Sequence, residues 1–386
     1  MREMVLPEEL RVLGSVADYL RSPQRLRRDV EWCGIEPKYC DEILAGAVEL
    51  LSQRERLGEL ELTAKAMFSA ASWGTDPIRD ALRDESLGER FFLIYPLLQR
   101  LEELRDWYQV RGIPESVLRH TLYDFQLWIE TQHQRTGLSG FREAGWLRNH
   151  FLGRVFRLGR LQFEPTMYTY PFVPLVHCKS GEVRIVAKGG AAITAGGVFA
   201  DSEGATEPFI DLIYEEVAGE VRRGHAVAAN GYIEPVPSDF AAGQWRKGLN
   251  WGDTVLSLHI PAGEPLDFTA CRESFRLAAD FFPSYFPGLP VPRAVACGSW
   301  LFYPGLCDIL PAESNIVRFQ KLFYRFPMRS ATSSQTYERA FAGYARPIKA
   351  EQLKTTLERR LYDHINEDNI PLAACGMILA PFDDFR

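Results

Sequence analysis

The sequence predicts a mixed α+β chain, with a helical N-terminal domain followed by a domain built on a central mixed β-sheet flanked by helices. Three observations predict it. From Pro7 to about His150 apolar residues recur at helical steps, with few strand signals. Extended segments begin at Val155 and continue to the C-terminal part of the chain. Between Thr254 and Trp300 a strand, a polar loop, a helix and a second strand follow one another, as in a crossover unit of a mixed sheet. At 386 residues the chain exceeds one ordinary core of roughly 100 to 200 residues and suits two.

Short polar breaks at Ser22-Pro23, Glu36-Pro37, Gly74 to Pro77 and Gly112 to Pro114 divide the first region into short helices. One helix is expected from Pro96 to Tyr108, with Leu97, Leu101, Leu104 and Tyr108 on one face. Another starts near Pro114, a residue suited to a first turn, and carries Val117, Leu118, Leu122, Phe125, Trp128 and Ile129 as a core stripe. The helical period fails at Gly137-Leu-Ser-Gly140, which divides the chain into a helical domain, 1–139, and an α/β domain, 140–386. The first strand-like run is Val155 to Glu164, where Leu161 and Phe163 alternate with Arg160, Gln162 and Glu164. Further strands are expected at Phe172 to Cys178, Val183 to Lys188, Val227 to Glu234, Thr254 to Ile260, Arg293 to Phe302 and Gly376 to Ala380. A helix over Cys271 to Phe282 buries Phe275, Ala278, Ala279, Phe282 and Phe286, and Asp267 or Thr269 supplies its cap. Arg293 to Trp300 is almost continuously apolar, as a strand buried on both faces requires. The glycine-rich run Gly189 to Gly197 matches neither a P-loop nor a dinucleotide fingerprint and reads as a hairpin connection.

Composition narrows the function. With 44 basic against 51 acidic residues, the net charge of -7 argues against a general nucleic-acid binder. No apolar run long enough to span a membrane and no cleavable leader are apparent, so a cytoplasmic protein with no membrane partner is expected. The seven cysteines are scattered through apolar runs, without a CxxC pair, and read as reduced core residues, so no metal site is expected.

Phe156 to Glu164, Leu258-His-Ile-Pro261, the Cys271 to Phe282 helix, Cys297-Gly-Ser-Trp-Leu301 and Glu313-Ser-Asn-Ile316 occur in an order and spacing that resembles a bacterial family of acyltransferase-like proteins. That family joins an N-acyltransferase N-terminal helical domain to a GNAT-like C-terminal domain, and the resemblance spans essentially the whole chain. It implies a co-substrate, acetyl-CoA or another acyl-CoA, lying where two central parallel strands splay apart. The pyrophosphate is then held by backbone N–H groups leading into a helix, whose start offers free donors and partial positive charge. By order of elements this assigns Ile260, Ala262, Thr269, Ala270, Cys271 and Arg272 to acyl-CoA, and Asn315 to the pantetheine arm. The segment departs from the usual Gln/Arg-x-x-Gly-x-Gly/Ala signature, and Glu264 and Asp267 bring negative charge that Arg272 or Arg276 would have to offset.

The resemblance implies transfer of an acyl group to a small-molecule or peptide amine, which needs a base for the amine and an acid for the thiolate. His259, on the polar face of its strand with Ser257, is a candidate base, or a structural histidine. Glu164 is the alternative base, or a solvated strand-end charge; Tyr324 is the candidate acid, or a core aromatic. Trp300 and Tyr303 either shape a substrate pocket or pack in the core. Two other functions stay open: a catalytically silent binding protein of GNAT shape, and a hydrolase using Cys297 or Ser299, although no G-x-S-x-G elbow surrounds the serine.

Overall fold

The computed structural model describes residues 14–68, 86–341 and 347–380; the expected break at Gly74 to Pro77 lies outside them. Contacts group the chain into two units. The first holds residues up to Glu164 together with Ile260–Pro265 and Leu277–Pro290. The second holds Pro165–His259, Leu266–Arg276 and the chain from Val291 onward.

The first unit is helical. Helices Pro23–Trp32 and Pro37–Leu51 each begin on their proline, which has no N–H to leave unsatisfied in a first turn. The helix expected over Pro96–Tyr108 is instead two, Ile94–Leu98 and Leu101–Val110. Pro96 sits in the first turn of the former, where its missing N–H costs nothing, and Leu101, Leu104 and Tyr108 keep the predicted buried face on the latter. The stripe after Pro114 divides likewise into Glu115–Leu122 and Asp124–Thr136, with Leu118, Leu122, Phe125 and Ile129 buried. The single strand expected over Val155–Glu164 is a hairpin, β1 (Phe156–Leu158) and β2 (Leu161–Met167), in antiparallel register with Leu158 opposite Leu161. Gly159 supplies the left-handed turn at φ 68°, a conformation that a Cβ would strain. Phe156 then enters an aromatic cluster with Phe281, Phe282 and Phe286 at centroid distances of 5.0, 5.9 and 5.3 Å.

The second unit carries small antiparallel sheets and a larger mixed one. β3 (Phe172–His177) lies between β4 (Val183–Ala187) and β10 (Trp245–Lys247). β5 (Ala192–Thr194) pairs with β6 (Phe209–Asp211), and β8 (Glu220–Gly224) lies between β7 (Tyr214–Val217) and β9 (Ser238–Asp239). The strand expected at Val227–Glu234 is reduced to one bridge, Val227 to Ile233, because Asn230 and Gly231 turn the chain back between them. The mixed sheet runs β11 (Thr254–His259), β12 (Ala294–Ser299), β14 (Ala374–Leu379), β13 (Tyr324–Pro327). β11 is parallel to β12, and the other contacts are antiparallel. A parallel pair cannot be joined by a tight turn, and the helix Phe268–Tyr285 makes the predicted crossover. Val255, Ala294, Phe326, Cys375 and Met377 carry the sheet into a core with Tyr168, Phe172 and Phe199. Among the described residues no helix is long and apolar enough to cross a membrane, and no group of three or more His, Cys, Asp or Glu side chains is placed to hold a metal ion.

Candidate active site

β11 and β12 part company halfway along. Their register pairs Leu256 with Val295 and Ser257 with Ala296 and stops there, whereas β12 stays paired with β14 from Ala294–Leu379 through to Ser299–Ala374. Counting on from that register, His259 is level with Gly298. Gly298 is the one exposed residue of an otherwise buried strand. A strand edge that has lost its neighbour presents backbone donors and acceptors at regular spacing, to which an extended ligand with amide groups can add. His259 is half-buried at the end of β11, with Nε2 at 3.5 Å from Oγ of Ser257, its neighbour two residues back on the same strand face.

The start of the Phe268–Tyr285 helix belongs to the same unit. Of the two expected caps it is Asp267 that acts: its Oδ1 accepts from the Ala270 N–H at 2.7 Å. The Cys271 N–H donates to the Asp267 carbonyl at 3.0 Å and its side chain is fully buried. Neither Ala270 nor Cys271 therefore offers the donor expected of it; the N–H groups of Phe268 and Thr269, the first two residues of the helix, lie within the turn that Asp267 caps. The positive charge comes from a residue not singled out in the sequence. The guanidinium of Arg318 stacks on the Phe268 ring at 4.1 Å, on the exposed side of the helix Asn315–Gln320. Asn315 lies three residues earlier on that helix and so shares its face with Arg318. Ser314 takes the cap, its Oγ accepting from the Val317 N–H, which leaves Asn315 exposed. Arg276 is held by Glu273 on its own helix, and Arg272 is exposed in the first turns.

Other expected residues fall elsewhere. Ile260 and Ala262 belong to the helical unit, where their loop is tied to the β1–β2 hairpin. Arg160 donates to the carbonyls of Glu264 and Pro265 at 2.7 and 2.9 Å, and Arg157 pairs with the Glu264 carboxylate at 3.1 Å. The negative charge of Glu264 is thus met by Arg157. Glu164 is half-buried in the middle of β2, not at its end, because the strand continues through Pro165 to Met167. Tyr324 is not on a helix: the helix ends at Gln320, and Tyr324 opens β13, exposed. That strand lies three places from β11 in the sheet, at roughly 4.8 Å per place. Tyr324 and His259 are therefore not brought together. Cys297 is buried, which pushes its thiol up to about 12, and so it lacks the thiolate a nucleophile needs. Ser299 turns its Oγ to the Leu301 N–H at 3.2 Å, capping the short helix Trp300–Phe302.

A cavity of about 420 Å³ opens in the second unit, walled by residues from the ends of β13 and β14 and from the glycine-rich connection. Thr194, Ala195 and Gly196 line it. Gly197, at φ 80°, lets the chain pass so close to Ile233 that an added Cβ would sit 2.3 Å from its carbonyl oxygen. Tyr303 is on the wall, with its hydroxyl 2.8 Å from His364 Nε2; Trp300 is not. Burial, aided by the nearby Tyr232 and Asp308, raises the Tyr303 pKa above its ordinary value.

No curated protein matches the sequence. The family model described as the GNAT-like C-terminal domain matches residues 155–378, and that of the N-acyltransferase N-terminal domain matches residues 25–153. Among solved structures, a mutant acyltransferase in complex with octanoyl-CoA is 19% identical, with a TM-score of 0.61, covering 98% of this chain and 93% of that one. An acyltransferase in complex with decanoyl-CoA and teicoplanin is 20% identical, with a TM-score of 0.59, covering 92% and 88%. One in complex with CoA and 10C-Teicoplanin is 20% identical, with a TM-score of 0.59, covering 98% and 93%. Parting parallel strands, a crossover helix between them and these matches agree, and the chain belongs to the acyltransferase family that sets an N-acyltransferase N-terminal domain ahead of a GNAT-like C-terminal domain.

Proposed function

We propose that the protein transfers an acyl group from acyl-CoA to an amine, with medium-length donors such as octanoyl- and decanoyl-CoA the first to try. The observation that carries the reading is the end of the β11–β12 register at Ser257 and Ala296, in the unit that also holds Arg318 at the helix start. A pantetheine arm contains two amides and can take the place of the missing neighbour along Cys297–Ser299. Its pyrophosphate then meets the first N–H groups of the Phe268–Tyr285 helix and the Arg318 guanidinium, a fork suited to phosphate oxygens. Asn315, exposed on the same helix face as Arg318, is the candidate to bond the arm. The solved relatives named above are bound to CoA, octanoyl-CoA or decanoyl-CoA, which supports the choice of donor.

In the reaction the amine nitrogen attacks the thioester carbonyl carbon; the C–N bond forms, the C–S bond breaks, and CoA leaves as a thiolate that takes up a proton. His259 is the first candidate to receive the amine's proton, since it ends β11 level with exposed Gly298 where the strands have parted. Glu164 is the second. The cytoplasm is the compartment in which acyl-CoA would be met.

Calorimetry with CoA, octanoyl-CoA and decanoyl-CoA tests the reading. The wild-type chain is expected to bind all of them, and Arg318→Ala to weaken each by about tenfold through loss of a charge-assisted contact. Added salt is expected to narrow that difference. Absence of binding across the series leaves the alternative, a GNAT-shaped binding protein without this activity.

A further inference from the structure

Resting on that acyl-transfer reading, we infer that the cavity of about 420 Å³ is the acceptor pocket, and that it selects a primary amine in its cationic form carried on an apolar or aromatic body. Its position comes first. Ala374, on the wall, is the registered partner of Ser299, and Met328, also on the wall, lies with Sδ 3.3 Å from where a Gly298 Cβ would stand. The cavity therefore abuts the last two residues of β12, the stretch that β11 has left.

Its charge comes second. Glu203, Glu207 and Asp368 line it, and the described lining residues include no Lys, Arg or His. Such a wall repels the phosphates of CoA and draws in an ammonium group. Glu203 is fixed in place, its carboxylate accepting from the N–H and Oγ of Ser333 at 2.6 and 2.8 Å. Arg329, next in sequence to Met328, is paired with Asp201. Tyr232, Tyr303 and Leu372 add apolar surface for the body of the acceptor. Ser202, buried in the same wall, has an Oγ with no hydrogen-bond partner among the described residues, a polar atom of the kind a ligand commonly satisfies. The ammonium form sheds one proton to solvent at the carboxylate rim before attack. The second passes to the base as the C–N bond forms.

Glu207→Gln with Asp368→Asn removes two charges from exposed positions, and Asn tolerates the left-handed backbone at residue 368, where φ is 63°. With octanoyl-CoA as donor and phenethylamine as acceptor, the double variant is expected to raise KM for the amine about five- to tenfold and leave KM for octanoyl-CoA unchanged. An unchanged amine KM overturns the inference, as does a shift in the octanoyl-CoA KM alone, which would mean that the acyl chain occupies the cavity. Calorimetry on the chain without CoA separates this from failure of the transfer reading. Phenethylamine is expected to bind the wild type more tightly than 2-phenylethanol, a preference the double variant loses; equal binding of the two, or none, overturns the inference whether or not octanoyl-CoA binds.

Discussion

His259→Ala is expected to lower kcat for octanoyl transfer about a hundredfold or more, while the Kd for octanoyl-CoA stays within about twofold. The split follows from position. The cofactor contacts assigned above come from the β12 edge, the Phe268–Tyr285 helix start and Arg318, none of which the substitution touches. What is lost is a proton acceptor at the point where the neighbouring strand has gone. Ser257 is too far, at 3.5 Å, to hold the imidazole firmly, so Ser257→Ala is expected to cost little beside it. Added imidazole should restore part of the rate of His259→Ala, a result that a packing role for the ring would not give. An unchanged kcat would remove His259 from the chemistry and turn attention to Glu164, with Glu164→Gln as the matching measurement.

How far the sequence could be read depended on whether the deciding interaction was local. β3, β4, β11 and β14 were legible to within two residues, since each is a short β-branched or apolar run bounded by turn residues, whereas β12 ends at Ser299, three residues before the expected Phe302, because Trp300–Phe302 form a short helix capped by Ser299. The crossover helix, expected over Cys271 to Phe282 with Asp267 or Thr269 as its cap, was legible from its helical period; it extends three residues further at each end, to Phe268–Tyr285, and Asp267 is the cap. The β1–β2 hairpin did leave a signal: the apolar positions shift from Phe156 and Leu158 to Leu161 and Phe163 across Gly159-Arg160, a break in the alternation that marks the turn. Gln162, read as the polar face of a strand, is buried, because its partner is Asp124, nearly forty residues earlier. Tyr324 was misplaced because the helix stops at Gln320 and only tertiary pairing with β14 turns the next residues into a strand. Arg318 had no local signature at all: the role proposed for it rests on its stacking against Phe268, fifty residues away. The cavity draws its wall from several distant segments, so neither its shape nor its negative charge could be read from any one stretch.

Asp124→Ala in the helical unit is expected to cost about 3–5 kcal/mol of stability, because it strips a buried polar network of its common acceptor. Asp124 is buried at the start of the Asp124–Thr136 helix, and one of its carboxylate oxygens accepts from Trp146 Nε1 at 2.9 Å, His150 Nε2 at 3.0 Å and Gln162 Nε2 at 2.9 Å. His150 and Gln162 are buried as well, so neither can turn to water if the carboxylate is removed. Burial alone would raise the Asp124 pKa; the hydrogen bonds and charge of His150, then the bonds from Gln162 and Trp146, outweigh it and leave the carboxyl below its usual range. The sign of the pH dependence follows. A carboxylate whose folded pKa is depressed adds stability that is present above its unfolded value, about 3.9, and is lost as pH falls through the folded one. Thermal unfolding of the wild type is therefore expected to move to lower temperature on the acid side, and Asp124→Asn to flatten that limb while lowering Tm at neutral pH. For a unit of this size the neutral-pH loss in Asp124→Ala corresponds to about 10 °C, readable by calorimetry. Equal acid sensitivity in the wild type and Asp124→Asn would show that the depressed carboxyl lies elsewhere. The ligand measurements give an independent check, since octanoyl-CoA contacts are assigned to the other unit and Asp124→Asn should leave its Kd unchanged at temperatures where the chain is folded.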